Sequence, residues 1–370
     1  MVGAGQLARM TNQAAVDLDI ELVVLARSTD DSAVLGGALH RLGSWSSLAD
    51  LQAVASGADV VTFDHELVPD THLERLEQLG HRLRPAPRAL GLAQDKLKAR
   101  KVLSELGFPV PAFAPVSSLG DLAEFAEAHG WPVIVKSPTG GYDGRGVHVI
   151  EDLDEAAALF GQGQPETSRW LAEERVDIAC ELAILVARSS SGNVAVYPAV
   201  QTLQEAGICR YLLMPAPLPA AVTDEAGTLA RSIAEAIGST GVMAVEMFLD
   251  TRGQLLVNEL ALRPHNSGHI TIEACETSQF HQHLRAVLGW PLGSTKLRSP
   301  AASVNIISDS GTCDPSARLP RALAIPGAHI HLYGKAPRPG RKLGHVTALA
   351  TSTEQALETA QAAAAILMEP

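Results

Sequence analysis

Over residues 1–91, short apolar runs at 21–26 and 58–63 alternate with helical spacing such as Leu73, Leu76 and Leu79, which predicts α/β layering around a parallel sheet. The strand that would open this unit is represented only by Met1 and Val2. Pro85 and Pro87 punctuate its end, and a charged helix is expected over 92–106, with Lys96 and Arg100 one turn apart. A second unit centres on the buried strand 132–136, which runs into a glycine-rich loop and out through 147–150. A third begins at 170–176. It continues through strands at 180–187 and 194–200, a helix over 224–237 and a hairpin within 245–269. A strand over 329–333 and an alanine-rich helix over 353–368 close the pattern.

The hairpin carries the densest candidate chemistry. A turn centred on Arg252 and Gly253 sets Glu246 opposite Glu259, each equidistant from that centre. Cross-strand neighbours stand roughly 4.5–5.5 Å apart at Cβ, and like charges there repel. A cation therefore belongs between them. Mg²⁺ is bound by one or two carboxylates plus substrate phosphates, which makes the pair a metal–nucleotide site; a solvent-facing hairpin neutralised by Lys or Arg is the other reading. Strand alternation points Asn258 to the face opposite Glu259. Arg263, His265, Asn266, Ser267 and His269 follow at once. The guanidinium fork suits a carboxylate or phosphate, and Asn266 or Ser267 could equally cap a helix that carries Ile272 and Ala274.

Two glycine-rich loops add to this. Four glycines within 139–146 let the backbone approach a ligand and present N–H groups to phosphate, or else mark a flexible hairpin; Lys136 and Arg145 favour the anion. Residues 3–8 read G-x-G-x-x-A, a phosphate seat at a helix start. Arg27 ends the next strand where an NAD site wants an acid, so an NADP-linked oxidoreductase with Arg27 on the 2′-phosphate is a rival, without a catalytic Tyr-Lys set to support it. Lys335, Arg338, Arg341 and Lys342 form a late cationic loop that is either solvated or holds a substrate phosphate. His281 and His283 lack the i, i+4 spacing of a helical metal site.

Composition narrows the class. The chain has 370 residues, is 46% hydrophobic and carries a net charge of −12, enough for two or three cored domains and the wrong sign for a general nucleic-acid binder. Cys180, Cys209, Cys275 and Cys313 show no C-x-x-C pair and are expected in core packing within a reducing compartment. No apolar run reaches the ~18 residues of a membrane helix, and no basic stretch with an apolar h-region opens the sequence, so a cytoplasmic location without membrane or nucleic-acid partners is expected.

Lys96, Lys136, the glycine-rich lid, the Glu173-Glu174 hinge and the late carboxylate pair, in that order, resemble the ATP-grasp superfamily. The motifs GGYDGRG at 140–146, NELA at 258–261, RPHNSGH at 263–269 and RPGRKLGH at 338–345, with GQLARM at 5–10 and QDKL at 94–97, resemble the N5-carboxyaminoimidazole ribonucleotide synthetase family within it. The resemblance spans essentially the whole chain. It implies an α/β ATP-grasp fold: an N-terminal Rossmann-like (pre-ATP-grasp) domain at 1–91, a linker helix and small lid at 92–172, and a larger C-terminal α+β domain at 173–370.

It further implies an ATP-dependent ligase of purine (IMP) biosynthesis that carboxylates aminoimidazole ribonucleotide with bicarbonate through carboxyphosphate. The alternative is another grasp ligase, such as a formate-dependent glycinamide ribonucleotide transformylase. Carried over by position, ATP is held by Lys96, Lys136, Gly141, Tyr142, Asp143, Gly144, Arg145, Gly146 and Val147. Glu173, Glu174, Arg175 and Val176 form its adenine hinge, with Glu181, Gln204, Asn258 and Glu259 beside the nucleotide. Glu246 and Glu259 bind Mg²⁺ or Mn²⁺; Arg263, His265 and Asn266 are catalytic, on bicarbonate; Gln6, Tyr142, Asp143, Lys335, Arg341 and Lys342 hold the ribonucleotide. Lys96 stands for the family's arginine and loses its bidentate fork. Leu262 stands for a usual proline, and Gln204 for a relative's histidine. A homodimer is implied as well.

Overall fold

The computed structural model describes residues 1–140, 146–161, 169–205, 207–309 and 314–369. Tyr142, Asp143, Gly141, Gly144, Arg145 and Cys313 lie outside them. The first unit is a parallel sheet. Strand Val23–Ala26 pairs with Leu39–Leu42, Val2 bridges both Leu25 and Phe63, and Val61 bridges Leu83. Val2 alone thus fills the central position that the α/β pattern requires. Helix Gln6–Asp17 starts directly after it, at Gly5.

The G-x-G-x-x-A seat is already filled from within the chain. The Gly5 N–H donates to Asp64 Oδ2 at 2.7 Å. At Gly3, with φ +100°, a Cβ would fall 1.6 Å from Asp64 Oδ1. The glycines admit the protein's own carboxylate at the helix start, not a dinucleotide phosphate.

The expected helix over 92–106 is two helices, Pro87–Gln94 and Lys96–Glu105, broken at Asp95. Asp95 is extended (φ −128°, ψ 108°) and its side chain caps the second helix by accepting from Lys98 N–H. Lys96 therefore opens a helix, where its backbone N–H donates to Pro138 O at 2.8 Å.

A four-stranded antiparallel sheet follows, in the order Phe113–Val116, Trp170–Glu174, Val133–Lys136, Val147–Ile150. Helices Leu119–His129 and Leu153–Gly161 cover it through Leu122, Phe125, Ala156 and Leu159. The first of these helices begins with a reciprocal Ser118–Asp121 capping box.

The largest sheet has nine strands, ordered 255–261, 241–250, 178–188, 200–205, 208–214, 301–307, 342–349 and 328–332, with 194–196 paired beside 178–188. Its central strand, Ile178–Arg188, is buried on both faces. One face, with Leu182, Ile184 and Val186, packs under Ala226, Ala230 and Ile233 of helix Ala220–Ala236. The other face carries Glu181, in register with Phe248 and Thr202, and so lies on the same side as Glu246. At the far end, helix Thr353–Leu367 lays Ala360, Ala363, Ala364 and Leu367 against Val304 and Val346.

Candidate functional site

Glu246 and Glu259 are direct cross-strand partners, as the sequence pattern predicts, though the cause differs. Met247 pairs with Val257 and Leu249 with Leu255, so the turn centres on Arg252 alone. Asn258 is then an extra residue in its strand, a bulge that restores the Glu246–Glu259 register. The bulge also breaks alternation. Asn258 Oδ1 accepts from Lys136 Nζ at 3.4 Å, while Glu259 meets Lys96 Nζ at 2.7 Å. The asparagine therefore faces the same cleft as the glutamate, contrary to simple strand periodicity. Burial first, and then the Glu259 and Glu181 carboxylates, push the Glu246 carboxyl up to about 7.

Lys136 ends its strand beside Glu173, with Nζ 2.5 Å from Oε2. Arg100 reaches the same carboxylate from helix Lys96–Glu105. Burial works to raise the Glu173 carboxyl, but Lys136 and Arg100 outweigh it and hold it below the ordinary range. Burial likewise lowers Lys136 while Glu173 pulls it back. Glu173 thus serves as an internal counter-ion. Glu174 accepts from the Ala112 N–H at 2.9 Å, Arg175 is exposed and Val176 half-buried. Gln204 donates to Glu181 at 3.2 Å. Gly146 O accepts from Ser137 N–H at the base of the glycine loop, and Val147 is exposed.

The polar run after the hairpin closes back over the acidic pair. Its N-cap is His265, one residue earlier than expected, and it starts a short 3₁₀ turn, Asn266–Gly268. His265 Nδ1 accepts from Ser267 N–H, so Nε2 carries the proton and donates to Glu246 Oε1 at 3.2 Å. Burial, then Arg263 and Lys342, lower the imidazole to about 3, and it stays neutral. Arg263 Nε donates to Glu66 at 2.9 Å, and Asn266 exchanges amide hydrogen bonds with Asn305 at 3.0 and 2.8 Å.

Lys335 reaches Gln6 across 329 residues of chain. Burial, then Arg341, lower its ammonium to about 8. Arg341 Nη1 donates to Ala336 O at 3.0 Å, and Lys342 lies close enough to act on Glu246, His265 and His269. His281 pairs with Asp17 and the buried His283 with Thr62, so the two are apart, and the described residues hold no cluster of three or more metal-ligating side chains. Cys180 and Cys275 are buried free thiols. Among the described residues no helix is long and apolar enough to cross a membrane.

Sequence reasoning missed Glu66, Gln279, Asn305 and the half-buried His331; Arg100 and the buried His269 and His345 stood in the segments it quoted, but without their partners. A signal existed for Glu66, which follows the carboxyl end of a parallel strand, where α/β sheets place ligand groups. None existed for Gln279, Asn305 or His331. A cavity of ≈ 710 Å³ beneath helix Ala220–Ala236 lies away from these charges. The clustered carboxylates and cations, not that void, mark the site.

The sequence profile of the ribonucleotide synthetase preATP-grasp domain matches residues 1–94, the ATP-grasp domain 101–280, and the phosphoribosylaminoimidazole carboxylase C-terminal domain 301–359. The N5-carboxyaminoimidazole ribonucleotide synthase of Mycobacterium tuberculosis is 46% identical over 372 residues, 98% of this chain and 86% of the relative. The crystal structure of the Thermus thermophilus synthetase is 37% identical, with a TM-score of 0.89 over 100% of this chain and 98% of that one. The Aspergillus clavatus enzyme, solved with ADP and 5-aminoimidazole ribonucleotide, is 33% identical, with a TM-score of 0.89 over 99% and 97%. The chain belongs to the N5-carboxyaminoimidazole ribonucleotide synthase family, built on the ATP-grasp fold.

Proposed function

We infer that this chain catalyses the ATP- and bicarbonate-dependent carboxylation of 5-aminoimidazole ribonucleotide to N5-carboxyaminoimidazole ribonucleotide in purine biosynthesis. One observation carries the reading: the bulged acidic pair, Lys96 and Lys136 meet on one side of the loop that bears Arg263, His265 and Asn266, with Lys335 and Gln6 paired nearby. Lys96, Lys136 and Asn258 hold the phosphates. Gly141 to Val147 close over them, Glu173 to Val176 lie along the adenine, and Glu181 with Gln204 faces the ribose. Arg263, His265 and Asn266 hold bicarbonate, and Gln6, Tyr142, Asp143, Lys335, Arg341 and Lys342 hold the ribonucleotide.

Glu246 and Glu259 fit Mg²⁺, or Mn²⁺ in its place. The two carboxylates oppose each other in register, burial and like charge push Glu246 up to about 7, and Mg²⁺ sites use one or two carboxylates completed by phosphates. When bound, the ion neutralises charge on the transferring phosphoryl group. Arg263 orients bicarbonate so that its oxygen attacks the γ-phosphorus, releasing ADP and giving carboxyphosphate. Lys96 and Lys136 stabilise the phosphoryl charge. The ribonucleotide's exocyclic amine then takes up the carboxyl carbon, phosphate leaves, and the glycine-rich lid keeps water from the intermediate.

The same reading includes units at 1–91, 92–172 and 173–370 and a cytosolic homodimer; the buried thiols of Cys180 and Cys275 fit a reducing compartment. Phosphate release from ATP that needs both bicarbonate and aminoimidazole ribonucleotide tests it. Formate replacing bicarbonate would select the transformylase instead. Near-normal ATP turnover in Glu259→Gln would remove the metal assignment.

A further inference from the structure

Gln279 belongs to none of the motifs that point to function, yet it grips the backbone of the loop that does. It is fully buried and opens helix Gln279–Leu288 behind Ser278. Its Oε1 accepts from the His265 N–H at 2.8 Å, and its Nε2 donates to the His265 carbonyl at 2.7 Å and to His269 Nδ1 at 3.1 Å. Only one orientation of the amide satisfies all of these contacts, because a flip would set N–H against N–H and oxygen against oxygen. The loop is moulded to this group. A Cβ at Gly268 would fall 2.2 Å from Gln279 Oε1 and 2.3 Å from Leu185 Cδ2.

We propose that Gln279 is the positioning residue of the bicarbonate site: by pairing with both peptide groups of His265 it sets the height and direction of loop 263–269. The consequence runs outward through named atoms. With the His265 backbone held, Ser267 N–H reaches His265 Nδ1, and Nε2–H reaches Glu246 at 3.2 Å. Arg263 and Asn266 flank that fixed residue and share its placement. Gln279 itself lies outside the cleft and acts only through the loop.

The inference rests on the functional reading above, and its test separates the two. Steady-state constants for bicarbonate, ATP and ribonucleotide would be measured for wild type, Gln279→Met and Thr271→Val. Thr271 is the control. Its hydroxyl accepts from the Gln279 backbone N–H and donates to Gly268 O, so removing it loosens the same junction while sparing the amide pair. Gln279→Met is expected to lower kcat/KM for bicarbonate on the order of 100-fold, the scale of an ~1 Å misplacement, with ATP binding unchanged; Thr271→Val is expected to leave the bicarbonate KM near wild type. If Gln279→Met does not fold, Gln279→Glu decides on the same constants, since it keeps the acceptor and the size and loses the donors. A kcat/KM for bicarbonate within about twofold of wild type, or KM values for ATP and ribonucleotide that rise as much as that for bicarbonate, overturns the proposal alone. Wild-type phosphate release that ignores bicarbonate overturns the functional reading and this proposal together.

Discussion

Glu173→Gln keeps the size of the side chain and removes its charge. The wild-type carboxylate is 2% exposed and lies between Arg100 and Lys136, the latter at 2.5 Å. In the variant, two largely buried cations remain with no anion between them. Removing one partner of a buried ion pair costs about 3–5 kcal/mol. An independent route gives a similar figure: Lys136 can escape by releasing its proton, and holding a lysine of ordinary pKa ~10.4 neutral at pH 7 costs about 4.6 kcal/mol. The sign of the pH dependence follows. Without Glu173 the folded pKa of Lys136 drops further below its unfolded value, so the unfolded state binds more protons and stability of the variant rises with pH through that window. In wild type the Glu173 carboxyl is held low. Its contribution is present above the unfolded pKa of ~4.3 and is lost as pH falls through the lowered folded value. A chain of several units need not unfold in one step, so hydrogen exchange over 133–150 and 170–174 at several pH values should isolate the lid. A change in opening free energy below about 0.5 kcal/mol, or a flat pH profile, would refute the reasoning.

Three further outcomes are expected. Lys96→Met removes the ammonium that sits 2.7 Å from Glu259, so nucleotide-free Mn²⁺ should bind several-fold more tightly, the equivalent of about 1 kcal/mol for a partly exposed pair; an unchanged Mn²⁺ titration would contradict the arrangement. Lys335→Ala should raise the ribonucleotide KM roughly tenfold, the worth of one charge-assisted hydrogen bond, and leave the ATP KM alone; equal effects on both would place Lys335 elsewhere. Gly3→Ala forces a Cβ to 1.6 Å from Asp64 Oδ1 at φ +100° and should cost at least ~2 kcal/mol, measurable as a lowered Tm; an unchanged Tm would mean that Asp64 moves aside freely.

The arrangement has a common electrostatic logic. Three of the cations expected to meet a phosphate are matched to an acidic or amide side chain: Lys96 to Glu259, Lys136 to Glu173 and Asn258, Lys335 to Gln6. Nucleotide and metal together can exchange these partners without leaving a buried charge unpaired. A metal ion without nucleotide would meet Lys96 in competition for Glu259, which is why the Lys96→Met titration is informative.

Periodicity and turn chemistry located most elements, because strand and helix patterns are local. Val133–Lys136, Ala220–Ala236 and Thr353–Leu367 lie within a few residues of expectation. Local rules misplaced the junctions instead. Asp95 caps a second helix inside an apparently continuous one, and the Asn258 bulge turns a side chain that alternation sends the other way. Order along the chain, read through family motifs, was enough to bring out the ATP-grasp architecture, and hairpin symmetry the acidic pair. Which partner each charge takes was settled only in three dimensions. Asp64 fills the glycine-rich seat, Glu66 holds Arg263, Arg100 shares Glu173 with Lys136, and Gln279 clasps His265. Those partners come from distant segments, and a buried polar atom accepts whichever complementary group the packing brings within about 3 Å. Sequence spacing carries no record of that distance.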